Sequence, residues 1–155
     1  MADTEAGPGT QSILPHVQRY WDKMRSQSPI YTFLLSDLTL AKATDGFLEA
    51  SLEVLPVHMN SKGTLHGTVS ACIIDCTGGL VIAATGREQT GLSTDIHVTY
   101  VSTAKIGDTL VIQARANKVG ASLAFTAVNI EKHSIGSTEP GGLVATGTHT
   151  KYIKQ

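Results

Sequence analysis

The sequence predicts an α+β fold, with one long helix lying across an antiparallel sheet and a shorter helix ahead of them. Three observations lead there. The longest apolar run, residues 69–84, is interrupted by Ser70, Asp75, Thr77, Gly78 and Gly79, which makes it a buried helix and not a membrane span. Two strand-like segments precede this run and four follow it, several with apolar residues at every second position. Short glycine-containing turns separate most of these segments, and short turns join antiparallel strands.

The elements follow in order. Residues 1–11 carry Asp3, Glu5, Gly7, Pro8 and Gly9, with neither the basic nor the apolar stretch of a secretory signal, and are expected to form a disordered tail. Residues 12–155 form the single domain. Over residues 12–24, Ile13, Leu14, Val17, Tyr20, Trp21 and Met24 recur at steps of mostly three and four, an amphipathic helix anchored by the only tryptophan. Ser28-Pro29 ends it, and a strand is expected over 33–43. Thr44-Asp45-Gly46 is a turn, and a second strand over 47–57 alternates Leu48, Ala50, Leu52 and Val54 against Glu49, Ser51 and Glu53. Residues 58–65 read as a loop. The central helix starts near His66 or Gly67 and stops before Gly86, with Val69, Cys72, Ile73, Cys76, Leu80 and Ala83 as its apolar stripe. Strands are expected over 92–102, 108–119, 122–132 and 143–154.

Composition narrows the function. With 41% hydrophobic and 16% charged residues, the chain can bury a core and is not disordered. A formal net charge of −1 leaves no global basic field for nucleic acid or an anionic membrane. Cys72 and Cys76 stand four apart, not the spacing of a redox or zinc pair, and read as small core residues of a reducing compartment. A cytoplasmic location is expected, with the mitochondrion as second choice. The six histidines show no ligand spacing, so no metal is expected. A nucleophile-elbow motif, a phosphate loop and a dinucleotide fingerprint are all missing.

Asp75 is the residue out of place. Set among Ile73, Ile74 and Cys76, a carboxylate would lose solvation and become a stronger base, unless it sits on a wet face or is satisfied by a hydroxyl. Upstream, Asn60-Ser61-Lys62-Gly63-Thr64-Leu65-His66-Gly67 leads into the helix. Free N–H groups at a helix start can hold an oxyanion, and glycine leaves a carbonyl room to approach. Asn60 can add a side-chain donor. Read blandly, Gly67 is a turn residue and His66 a cap or core histidine. Eight residues separate Gly67 from Asp75, roughly 12 Å along a helix axis, too far for one carbonyl to reach both. If both act on one substrate, a second chain must supply one of them, and an isologous dimer has the required symmetry.

Asn60, Gly63-Thr64-Leu65-His66-Gly67 and Asp75, followed by Gly91-Leu92-Ser93-Thr94-Asp95-Ile96 and Val98-Thr99-Tyr100, resemble the hot-dog acyl-CoA thioesterases of the PaaI type. The likeness runs from the first helix to Thr148-His149-Thr150-Lys151. It implies a sheet wrapped around the central helix, and dimers that commonly pair into tetramers. It implies that Asn60 and the Gly67 N–H polarise a thioester carbonyl, that Asp75 of the partner subunit activates water, and that Ser93 orients it. It sets His66, Thr68 and Tyr100 at the substrate. Family members often carry a second glycine where this chain has Thr68, whose side chain would narrow the acyl or pantetheine passage. No separate cofactor is implied, since coenzyme A is part of the substrate. Lys105, Arg115, Lys118, His149 and Lys151 are candidates for the CoA phosphates, and each also reads as a solvated surface charge.

Two rivals stand beside hydrolysis of medium- to long-chain fatty-acyl-CoA. A hot-dog dehydratase or hydratase would need other motifs, and a non-catalytic acyl-CoA-binding module would not need Asp75 with Asn60 and Ser93. Whether Asp75 acts as a general base or through a covalent anhydride stays open.

Overall fold

The computed structural model describes residues 12–154, so the expected tail over residues 1–11 lies outside the described residues. In chain order the elements are α1 (Leu14–Gln27), α2 (Pro29–Leu34), β1 (Thr39–Thr44), β2 (Phe47–Glu53), a 3-10 turn (Pro56–His58), α3 (Gly67–Ala83), β3 (Leu92–Tyr100), β4 (Thr109–Val119), β5 (Leu123–His133) and β6 (Leu143–Tyr152). The six strands make one antiparallel sheet in the order β1-β2-β4-β5-β6-β3. It wraps α3, which packs on β2 through β6, in the hot-dog arrangement. No helix among the described residues is long and apolar enough to cross a membrane.

The strand expected over 33–43 is a correction. Ser28, which closes α1, also opens α2: its hydroxyl accepts from the Tyr31 N–H, and Pro29 takes the first helical position. Leu34 then turns inward and Phe33 outward. The strand begins only at Thr39, after Leu38 accepts the indole N–H of Trp21 at 3.3 Å. Trp21 itself is fully buried. The second strand also stops early, at Glu53, because Pro56 lies in a 3-10 turn. The buried His58 of that turn accepts from the Leu55 N–H and contacts the Leu34 carbonyl at 2.8 Å, tying the turn to α2.

The central helix differs from the expected single stripe. Every residue of α3 is buried except Gly67, Thr68, Ala71 and Asp75. A sheet that curls around a helix demands apolar or small residues nearly all round. The open residues 67, 71 and 75 are four apart and form one slanting strip. Farther along the same side of the helix, Gly78 lets the sheet close over it: a Cβ there would stand 2.8 Å from His149 Nδ1 and 2.9 Å from Thr126 Oγ1.

Candidate active site

The loop before α3 is built by Asn60. Its Oδ1 accepts from the N–H groups of Lys62 at 2.9 Å and Thr64 at 3.1 Å, while its backbone N–H donates to the Thr64 carbonyl. Its Nδ2 donates to Thr64 Oγ1 at 2.9 Å, and an amide nitrogen carries a second hydrogen for another acceptor. His66 is the N-cap of α3, its Nδ1 accepting from the Thr68 N–H at 3.0 Å. The bland reading of His66 as a cap therefore describes what it does within this chain. The Gly67 N–H, one step earlier, donates to no group among the described residues. Tyr100 packs against Gly67: its hydroxyl donates to the Gly67 carbonyl at 3.2 Å, and a Cβ on Gly67 would stand 3.1 Å from its ring. Next to this helix start, Ile30, Phe33, Val57, Met59, His66 and Thr68 line a mainly apolar groove of about 380 Å³.

Asp75 stands at the other end of the open strip. It is not dry: its side chain is 34% exposed. Ser93 Oγ donates to Oδ1 at 3.3 Å, and the phenol of Tyr31 donates to Oδ2. The wet-face and hydroxyl-satisfied readings of Asp75 thus hold together, and the expectation of a desolvated carboxylate is corrected. Ser93 reaches inward beside a register shift of β3 between Ser93 and Asp95, where the extra residue bends the edge strand.

Behind Ser93 lies His149. Its Nε2 is 2.7 Å from Ser93 Oγ and 3.8 Å from Asp75 Oδ1. Because the Ser93 hydroxyl gives its proton to Asp75, its oxygen accepts from Nε2–H, which leaves Nδ1 as the bare ring nitrogen. Nδ1 is buried without a hydrogen-bond partner among the described residues, against Gly78. Burial lowers the pKa of His149, and the nearby Lys151 ammonium lowers it further, so the ring is held neutral. Lys151 is also lowered by burial, with Asp75 opposing. Burial pushes the Cys72 thiol up to about 11, helped by the Asp75 charge.

His149 and Lys151 are therefore corrected as phosphate contacts. They alternate along β6 on the face that meets α3, with 0% and 8% exposure, and are closed off from a CoA phosphate. Lys105 and Lys118 are exposed and make no ion pair among the described residues. Arg115 is exposed and sits 4.6 Å above the Phe47 ring. Among the described residues no cluster of His, Cys, Asp or Glu suits a metal ion.

One chain thus joins Asp75, Ser93 and His149 at one end of the open strip of α3, and sets Asn60, Gly67 and Tyr100 at the other. It does not join the two ends. Sequence reasoning missed Tyr31, which lies 44 positions from Asp75, between Ser28-Pro29 and the strand expected from residue 33, where no element was expected. Recognising Ser28-Pro29 as a helix start would have put Tyr31 on a helix, but nothing local points it at Asp75.

The thioesterase superfamily model matches residues 62–138, a span that holds Gly67, Asp75 and Ser93. Human acyl-coenzyme A thioesterase 13 is 36% identical over 120 residues, 77% of this chain and 82% of that protein. The chain belongs to the thioesterase superfamily. As a member it is a thioester hydrolase. Among solved structures, zebrafish thioesterase superfamily member 2 superposes with a TM-score of 0.79 at 32% identity, covering 90% of this chain and 97% of its own. The PaaI protein of Escherichia coli superposes with a TM-score of 0.72 over 92% of this thioesterase and 96% of its own chain, and at 15% identity shares the fold alone.

Proposed function

We propose that this thioesterase hydrolyses medium- to long-chain fatty-acyl-CoA at composite sites shared by two copies of the chain. The observation that carries the reading is the open strip of α3, with a Gly67 N–H that has no partner among the described residues and a hydrogen-bonded carboxylate at Asp75, roughly 12 Å apart along the axis. A two-fold axis across such a strip sets Gly67 of one chain against the partner's Asp75. The free edge of β3, where Leu92 is 75% and Tyr100 57% exposed, suits pairing with a second copy. Two such dimers would then form the tetramer.

In the proposed reaction the Gly67 N–H and the Asn60 amide hold the thioester oxygen, and favour the negative charge that grows there. Water adds to the carbonyl carbon while the partner's Asp75 takes its proton, with Ser93 orienting the pair. Collapse breaks the C–S bond, and the proton leaves with the CoA sulfur. The apolar groove beside Gly67 offers room to an acyl chain. The cytoplasm or the mitochondrion, both with acyl-CoA pools, is the setting this reading calls for.

The test mixes two inactive chains. Asp75→Asn should fold and lose on the order of 10²-fold or more in turnover, and Asn60→Ala should also be inactive. In a mixed dimer one site collects both lesions and the other neither, so activity should return to about half per dimer. Co-purification of differently tagged chains proves exchange. Mixed dimers that stay inactive would overturn the shared site, and a folded Asp75→Asn with normal turnover would overturn the base.

A further inference from the structure

We infer that Tyr31 is a positioning residue of this reaction, a fixed donor that holds the second oxygen of Asp75. The inference rests on Asp75 being the base, and it brings the helices ahead of the sheet into catalysis.

A carboxylate can only accept, so the phenol must give its proton to Oδ2. Burial raises the Tyr31 pKa well above its ordinary value, and the bond to Asp75 raises it further, so the phenol stays protonated at neutral pH and shuttles no proton. It acts by placement. The Tyr31 N–H donates to Ser28 Oγ, and its carbonyl accepts from the Leu35 N–H at 2.8 Å. Its ring packs at 51° on Trp21, with centroids 6.1 Å apart, and Trp21 is fully buried. Backbone and ring are thus both pinned.

The terminal torsion of an aspartate is broad, and one hydrogen bond leaves the carboxylate free to swing. With Ser93 on Oδ1 and Tyr31 on Oδ2, its plane is fixed. The other ionisable groups facing Asp75 are Cys72 and Cys76 on its own helix and His149 and Lys151 on β6. None of them hydrogen-bonds Oδ2 among the described residues. Tyr31 is the donor that decides where that oxygen points.

Tyr31→Phe removes the hydroxyl and keeps the ring on Trp21. With dodecanoyl-CoA and the full-length chain, kcat should fall about tenfold while KM stays within about twofold. The melting temperature should shift by no more than a few degrees, about what one lost hydrogen bond gives in a domain of this size. A folded Tyr31→Phe enzyme with normal kcat overturns the inference. So does a loss shared equally by kcat and KM with a large drop in melting temperature, which marks a merely structural role. Asp75→Asn, assayed alongside, separates this from the base itself: normal turnover there removes the base, whereas an inactive Asp75→Asn beside a normal Tyr31→Phe removes only the role of Tyr31.

Discussion

His149 shows how far one side chain's setting can override its chemistry. Solvated, it would titrate near neutrality and suit an anion. Sealed between Gly78 and Ser93, with Lys151 nearby, it is held neutral and works as a donor to the serine that contacts Asp75. That setting makes a pH prediction. The folded pKa is lowered, so below about 6.5 the unfolded chain takes up a proton that the folded chain resists. The stability His149 contributes is present above the unfolded value and is lost as pH falls through the folded one. Urea unfolding at pH 7.5 and 5.5 should show a smaller loss for His149→Gln, whose side-chain nitrogen can still donate to Ser93, than for the parent. Equal losses would mean that His149 is not the proton-linked group.

The union of α3 with the sheet depends on small residues as much as on apolar ones. Gly78 and Gly79 lie where β5 and β6 bring Thr126, His149 and Lys151 up to the helix. Glycine in a helix interior costs up to about 1 kcal/mol in propensity, and here that cost admits a polar cluster into the core. Gly78→Ala should gain propensity and still destabilise by about 1–3 kcal/mol, since the new Cβ meets His149 and Thr126 below 3.0 Å. Chemical denaturation measures this. Turnover should fall as well, because His149 carries the strain to Ser93. A more stable Gly78→Ala protein would show that the sheet can move away at no cost. The same helix was well marked in the sequence: its start at Gly67 and its end before Gly86 follow from His66-Gly67 and from the end of the apolar run. The helix at Pro29–Leu34 was not, because a six-residue apolar segment fits a strand as easily, and only its Ser28 cap and the packing of Leu34 decide.

For the whole molecule, the net charge of −1 still leaves the CoA phosphates in need of cations. Lys105, before β4, and Lys118, near its far end, are exposed and unpaired among the described residues. Reversing each to Glu should raise KM for acyl-CoA several-fold at low salt, and leave a short acyl-pantetheine without phosphates unaffected. Equal effects on both substrates would argue against phosphate contact, and no effect on either would clear these lysines of any part in binding. The strand order also belongs here. Apolar residues at every second position were enough to forecast strands, but not that β3 would leave its neighbours in sequence and pair with β6 at the far edge.

The sequence by itself determined the helix-and-strand inventory from residue 39 onward and the separation of Gly67 from Asp75 along one helix. These follow from local periodicity and spacing, which the chain carries wherever it folds. Only the tertiary structure decided that Tyr31 and Ser93 clasp Asp75, that His149 and Lys151 turn inward, and that α3 keeps one open strip. These depend on which face of each element meets the core, and that is settled by contacts between residues far apart in the chain.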